Sequence, residues 1–313
     1  MFNPQIKNTI NEDISILVKQ SNNALNYICE CGEASKLKIK EIQQTEVIFI
    51  SHTHIDHFAN FDQIIRHQIG IQRKVTICGP KGIAQNIFHK LNAFTWNLIS
   101  EDALTYEIIE MLTDQSIQTY ELKPAKWELI KKEKKLSNVL FKGKDFEVTG
   151  VLLDHKIPTL AYKFQEYAKV KLKDTPFKGG PWVNALKLAF EQKQLNQIIE
   201  IEGKQHLAET LFCYLEVKEG DSLGIIMDHA ASEQNHKKIF DHFYGTNQIF
   251  IECFYKTEDK ELANKNAHSF VQKSAEIAKS LKADNITPVH FSRKYKLDDL
   301  EEIEKEFYQI LTQ

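Results

Sequence analysis

Glu46-Val47-Ile48-Phe49-Ile50-Ser51-His52-Thr53-His54-Ile55-Asp56-His57 is the stretch on which the fold turns. Its first five residues form a short apolar run that stops abruptly in polar ones, as a buried strand does at its tip. Three imidazoles and a carboxylate then fall within six residues, a set that an apolar core does not hold comfortably. If the alternation of the strand continues past its end, His52 and His54 turn to one side, while Asp56 and His57 curl round from the turn that follows. Borderline cations such as Zn²⁺ take imidazole nitrogen and carboxylate oxygen at about 2.0–2.2 Å. The HxHxDH spacing therefore offers two ligands to one ion and two to its neighbour. The competing reading is a solvated histidine-rich loop; a position at the tip of a buried strand rather than in a polar tract argues against it.

Outward from this stretch the chain has ordinary globular arithmetic: 313 residues, 27% charged and 42% hydrophobic. Forty Lys and Arg against 43 Asp and Glu exclude a polycation but leave room for a local basic patch. Nineteen Phe and ten Tyr argue against disorder. No apolar run approaches the roughly 18 residues a membrane span needs. The start of the chain shows no hydrophobic signal segment behind a basic head, so the expectation is a cytoplasmic protein with no membrane contact. Cys29, Cys31, Cys78, Cys213 and Cys253 form no CxxC pair and read as reduced, mostly buried thiols.

Apolar runs alternate with helical patterns along the whole length. Asp13–Lys19, Leu25–Cys31, Val75–Cys78, Asp145–Leu153, Thr159–Phe164, Leu211–Val217, Leu223–Met227, Gln248–Cys253 and Ile286–Val289 read as strands. Phe58–Ile69, Gly82–Leu91, Trp182–Gln192, Glu233–His242, roughly Glu261–Leu281 and a segment from Leu297 read as helices. Lys131–Lys135 reads as an exposed helix face, and 166–180 as a basic loop. This mixture predicts sheet layers covered by helices in one domain, 1–313.

An apolar strand leading into HxHxDH resembles the metallo-β-lactamase superfamily, and the remaining ligands of that superfamily find counterparts in order. His155 follows the run Phe146–Leu153, Asp228 follows Leu223–Met227, and His290 follows Ile286–Val289. Any one of them alone reads as a surface residue or a cap; the joint occurrence is what carries weight. The chain further resembles the ribonuclease Z branch, from about Ile28 to Tyr295. Glu30-Cys31-Gly32-Glu33-Ala34 is similar to the DCGE segment of that family, Thr76-Ile77-Cys78-Gly79-Pro80-Lys81-Gly82 to its strand and GP turn, and His155–Phe164 to its HxVPxLGYRxE stretch. Glu252-Cys253-Phe254 is similar to EATF, Ala267-His268-Ser269 to AHST, and His290-Phe291-Ser292-Arg293-Lys294-Tyr295 to THFSxRY, which is the most specific to the branch.

The resemblance implies a four-layer αβ/βα sandwich with two divalent metal ions between the sheet edges. His52, His54 and His155 would hold one ion, Asp56, His57 and His290 the other, with Asp228 bridging. Zn²⁺ suits this ligand set; Mn²⁺ or Fe could occupy it. Two such cations activate a water as hydroxide and clamp phosphate oxygens. Asp56 is then the candidate general base, and His268, oriented by Glu252, the group that helps the 3′-oxygen leave. His229, adjacent to Asp228, is expected behind the ligands or at the surface; His67, His89, His206, His236 and His242 are expected in solvent.

The implied activity is hydrolysis of RNA at the 3′ trailer of tRNA. Lys163, Lys169, Lys171, Lys173, Lys178 and Lys187, interleaved with Tyr167, Phe177 and Trp182, would form an RNA-contacting arm inserted at about 166–181. From composition alone this is equally a solvated lysine-rich loop. The resemblance also implies a homodimer. Several segments depart from the family: no glycine-rich LGTG segment precedes Asp13, Glu30 replaces the Asp of DCGE, Phe58-Ala59-Asn60-Phe61-Asp62-Gln63 replaces GLPGLL, and Met227-Asp228-His229 replaces GDT. None removes a metal ligand, so a second reading keeps the metal site with a small ester, lactone, thioester or cyclic phosphodiester as substrate. A third, a non-catalytic relative, conflicts with the retention of every ligand.

Overall fold

In the computed structural model, which describes residues 1–10, 12–21 and 23–313, the decisive strand runs Thr45–Phe49. Val47 and Phe49 enter one apolar cluster, while Ile48 and the following Ile50 enter another. A strand covered on both faces has no polar side to show, which is why Val47–Ile50 is apolar without interruption.

That strand is the fourth of an eight-stranded sheet paired in chain order. The strands are β1 (Phe2–Ile6), β2 (Ile16–Gln20), β3 (Asn26–Cys29), β4 (Thr45–Phe49), β5 (Lys74–Pro80), β6 (Thr105–Met111), β7 (Ser116–Leu122) and β8 (Ile130–Leu136). β3 to β6 run parallel, and the flanking pairs are antiparallel. The chain continues through β9 (Val139–Lys142), β10 (Phe146–Asp154), β11 (Pro158–Glu166), four short strands β12 (Lys169–Leu172), β13 (Ile198–Ile201), β14 (Lys204–Leu207) and β15 (Leu215–Lys218), then β16 (Ser222–Ile226), β17 (Gln248–Glu252) and β18 (Asn285–Val289). A second sheet orders six of these as β18-β17-β16-β11-β10-β9, with β16, β17 and β18 parallel.

The two sheets face each other across a core that includes Val47, Phe49, Tyr162, Phe164, Leu223 and Ile225. Helices Phe61–Gln68 and Ile83–Asn92 cover the outer face of the first sheet. Helices Glu233–Phe243, Val271–Ser280 and Leu297–Thr312 cover the second. The result is the helix–sheet–sheet–helix sandwich that the sequence led us to expect. Gly224 in β16 matters to it, because a Cβ there would lie 2.8 Å from the Phe243 ring that packs over the strand.

Residues 1–165 and 221–313 form one compact unit, and Glu166–Gly220 forms another. The second unit has its own core of Trp182, Leu186, Ala189, Ile199, Ile201, Ala208, Leu211 and Leu215. It contains the pairs β12–β15 and β13–β14, so part of the stretch read as a basic loop is strand. Its eight lysines are offset by eight acidic residues, and the basic character is confined to the stretch before Leu188.

Other segments also differ from the sequence reading. Lys131–Lys135 lies in β8, every residue of which is exposed, rather than on a helix. A sheet edge lined with lysine presents no apolar alternation to read, and the charge discourages pairing with another chain. The helix read at Glu261–Leu281 is two helices, Lys260–Asn266 and Val271–Ser280, separated where Ala267 takes φ +60°. The strand read at Leu211–Val217 begins only at Leu215, after a helical turn.

Candidate active site

The parallel strands bring their carboxyl ends to one rim, where open α/β sheets place their chemistry. Glu30 follows β3; His52 and His54 follow β4; His155 follows β10; Asp228 follows β16; Glu252 ends β17; His290 follows β18. Asp56 and His57 sit in the one-turn helix Ile55–Phe58. The hydroxyl of Tyr162, on β11 of the opposite sheet, is 2.7 Å from the Ile50 carbonyl and 3.0 Å from that of Cys78, which ties the tips of β4 and β5 across the sandwich. Thr159 donates to the carbonyl of Asp228 at 2.7 Å and holds that loop in turn.

Two groups of donors result. The ligand atoms of His52, His54, His155 and Asp228 lie within 4.8 Å of one another, and so do those of Asp56, His57 and His290. Asp228 faces both groups, one oxygen to each. Its Oδ2 is 3.7 Å from His52 Nε2 and 3.5 Å from His155 Nε2, while its Oδ1 is 3.2 Å from His57 Nε2 and 2.9 Å from His290 Nδ1. His52 Nε2, His57 Nε2, His290 Nδ1 and Asp228 Oδ1 are buried without a hydrogen-bond partner. Buried polar atoms are rarely left so, and four converging on one space mark a place for cations. The far ring nitrogens are engaged: His57 Nδ1 with Glu30 at 3.0 Å, His52 Nδ1 with the Ser51 hydroxyl at 3.0 Å, and His155 Nδ1 with the Ala267 carbonyl at 2.7 Å. Such contacts fix which nitrogen faces inward, the usual support for a metal-binding histidine. The donor set therefore fits a pair of divalent cations.

The electrostatics are those of a dense cluster of opposite charges. Burial, together with the surrounding imidazoles, pushes His52 down to about 2. Burial would do the same to His57 and His290, but Asp228 outweighs it, raising His57 well above its ordinary value and His290 to about 9. Burial would raise Asp56 and Asp228, and the His57 and His290 imidazoles instead hold both below the usual carboxylate range. The backbone is strained at the same places: Glu30, Lys156, Ala267 and His290 take φ of 66°, 61°, 60° and 58°.

Asp228, Glu252 and His268 form a third group at the side of the first two. His268 Nδ1 is hydrogen-bonded to Glu252 Oε1, and the other oxygen of that carboxylate accepts the backbone N–H groups of His229 at 3.1 Å and Ser269 at 3.2 Å. Burial disfavours a charged His268, but Glu252 prevails and raises its pKa. A cavity of about 640 Å³ opens beside Asp56 and His290, walled by Ile6, Ile10, Ile14, Phe254 and Phe291.

All nine residues singled out in the sequence thus meet at one rim. Sequence reasoning missed the contact of Glu30 with His57 and Ser51, although an acidic residue closing an apolar strand is the same signal that found Asp228. His229 is fully buried, donating from Nδ1 to the Met227 carbonyl at 2.8 Å. Of the histidines expected in solvent only His89 is exposed; His67, His206, His236 and His242 are partly buried.

No family model matches the chain. It is 29% identical to ribonuclease Z of Deinococcus radiodurans over 292 residues, 88% of this chain and 85% of that one. This chain has the metallo-β-lactamase fold and resembles ribonuclease Z. The human short form of tRNase Z superposes with a TM-score of 0.53 at 17% identity, over 90% of this chain and 86% of that one. A metallo-β-lactamase fold protein of Bacillus subtilis superposes with a TM-score of 0.56 at 12% identity, over 95% and 85%.

Proposed function

We propose that the chain is a dinuclear metal-dependent phosphodiesterase of the ribonuclease Z type, cleaving RNA at the 3′ trailer of precursor tRNA. The observation that carries this reading is the division of seven ligands into two groups that share Asp228, with the His268–Glu252 pair beside them. A bridged metal pair suits hydrolysis, and a buttressed histidine at its side suits the expulsion of a poor leaving group. His52, His54 and His155 would hold one cation and Asp56, His57 and His290 the other, with Asp228 available to both; nitrogen and oxygen donors of this kind suit Zn²⁺, and Mn²⁺ or Fe also. When bound, the cations acidify water and neutralise phosphate oxygens.

The remaining steps belong to the side chains. Asp56 stays ionised beside His57 and His290 and takes a proton from the attacking water. The water oxygen bonds to phosphorus as the bond from phosphorus to O3′ breaks. The electron pair goes to O3′, which receives the proton of His268. Phosphate contacts come from Lys169, Lys171, Lys173, Lys178 and Lys187, on a substrate arm within the 166–220 unit; Lys163, read with them in the sequence, instead lies on β11 of the sandwich with its ammonium on the His242 carbonyl. A homodimer working in the cytoplasm, where RNA is matured, completes the reading.

The cavity beside Asp56 and His290, walled partly by apolar side chains and partly by Asp13, Arg293 and Lys294, favours a second reading, in which the same centre hydrolyses a small ester, lactone, thioester or cyclic phosphodiester. Cleavage of a 3′-extended precursor tRNA by metal-loaded protein, alongside Asp56→Ala and bis(p-nitrophenyl) phosphate, separates the two. Cutting at the trailer junction that disappears in the variant supports the ribonuclease. Turnover of the small phosphodiester without tRNA cutting overturns it in favour of the second reading.

A further inference from the structure

The imidazole of His268 is constrained on its face as well as its edge. Its Nδ1 meets Glu252, and its backbone N–H donates to the Ala263 carbonyl at 3.0 Å. Neither contact stops the ring from swinging about the line from Nδ1 to the carboxylate, and the terminal torsion of histidine is broad by nature. Phe254 supplies what is missing. Its ring lies 3.8 Å from that of His268 and within 5° of parallel, whereas His155 and Tyr255 meet the same imidazole edge-on at 4.5 and 5.8 Å.

Phe254 is itself held. Its carbonyl accepts the Ser292 N–H at 3.0 Å, and its ring packs against Tyr255 at 4.8 Å and His290 at 4.9 Å. Glu252 and Phe254 are two residues apart, so strand alternation carried one step past β17 sets them on one side. Glu252 grips the edge of the imidazole and Phe254 its face. The side chain of His268 is only 11% exposed, and Nε2 is the ring nitrogen left free to meet a substrate.

The geometry points to Phe254 as a positioning residue for proton delivery by His268: it fixes the plane of the imidazole so that Nε2 stays aimed at the leaving oxygen. This rests on the phosphodiesterase reading above. The proton matters for an alkoxide such as O3′ and hardly at all for p-nitrophenolate, so the leaving group reports on the alignment. Phe254→Leu keeps the apolar bulk and loses the flat face; Phe254→Tyr keeps the face. For Phe254→Leu in the full-length metal-loaded protein, kcat on 3′-extended precursor tRNA falls about 10- to 100-fold, a part of the roughly 100- to 10,000-fold that general acid catalysis supplies. KM is held, and the loss is at least about tenfold larger than on bis(p-nitrophenyl) phosphate. Phe254→Tyr restores the rate, and in a His268→Ala background Phe254→Leu adds no further loss. Equal losses on both substrates, losses that multiply with His268→Ala, or no restoration by Tyr overturn the assignment while leaving the ribonuclease reading in place. A wild-type protein inert toward precursor tRNA overturns that reading, and this assignment with it. Thermal denaturation of each variant separates misfolding from misalignment, and a Phe254→Leu protein that unfolds at the assay temperature leaves the comparison to Phe254→Met, which also keeps the apolar volume without the flat face.

Discussion

A histidine presents a defined nitrogen to a cation only when its other nitrogen is engaged, and that makes Glu30 the most consequential residue outside the ligand set. It is fully buried, reaches His57 Nδ1 at 3.0 Å and also takes the N–H of Ser51 at 2.9 Å. Replacing Glu30 with Ala frees His57 to rotate, and metal affinity should drop by about 10- to 100-fold, as for other supports of this kind; competition with a chelating dye measures it. A second expectation concerns protons. Burial works against a charged His268, yet the Glu252 carboxylate raises its pKa. A raised value keeps the acid form present up to a higher pH and loses it as pH climbs through that value, which sets the alkaline limb of the rate profile. Glu252→Gln removes the charge but not the shape, so the alkaline limb should move to lower pH. An unmoved limb would sink His268 as the acid.

Elements explain which parts of this arrangement could be read from the sequence. His52 and Asp228 come just past apolar runs, because a strand covered on both faces changes character abruptly where it reaches the rim, and β4 and β16 show this plainly. β8 gave no such sign: seven exposed residues on an edge obey solubility rather than packing. The break at Ala267 was hidden because a residue in the left-handed region need not be glycine, and this one places His268. His242 departs from expectation for a related reason. On the helix Glu233–Phe243 it looks like a surface residue, but it meets Thr149 of β10 at 3.1 Å, and burial followed by the nearby Lys163 lowers it to about 4. The unfolded chain then binds a proton near pH 6.5 that the folded one refuses until about 4. Stability should be full above that window and fall as pH drops through it. Melting curves from pH 7 to 4 should show this fall, and His242→Gln should flatten it. Beside the same helix, Gly224→Ala drives a Cβ to 2.8 Å from Phe243 and should cost roughly 1–3 kcal/mol by chemical denaturation.

At the scale of the whole molecule, the sandwich and the inserted unit have separate cores, and that separation lets chemistry and substrate recognition be tested apart. The sandwich carries every candidate ligand, including His57, Asp228 and His290 with their unpartnered buried atoms. Stripping its cations with a chelator should lower the melting temperature and restoring them should raise it, since binding to the folded state alone adds directly to stability. The inserted unit, by contrast, hangs on two chain crossings. β11 and β16 are antiparallel neighbours with Gln165 opposite Ser222, so the strand ends flanking Glu166–Gly220 lie side by side. A short Asn-Gly turn can join strands in that register. A protein carrying such a turn in place of 166–220 should fold and still hydrolyse bis(p-nitrophenyl) phosphate, because no ligand and neither Glu252 nor His268 has been touched. Its affinity for precursor tRNA should fall, and the salt dependence of that affinity should flatten as phosphate contacts are lost. If the shortened protein binds and cuts precursor tRNA as the full chain does, the lysines from Lys169 to Lys187 contribute no contact, and recognition must lie on the sandwich itself.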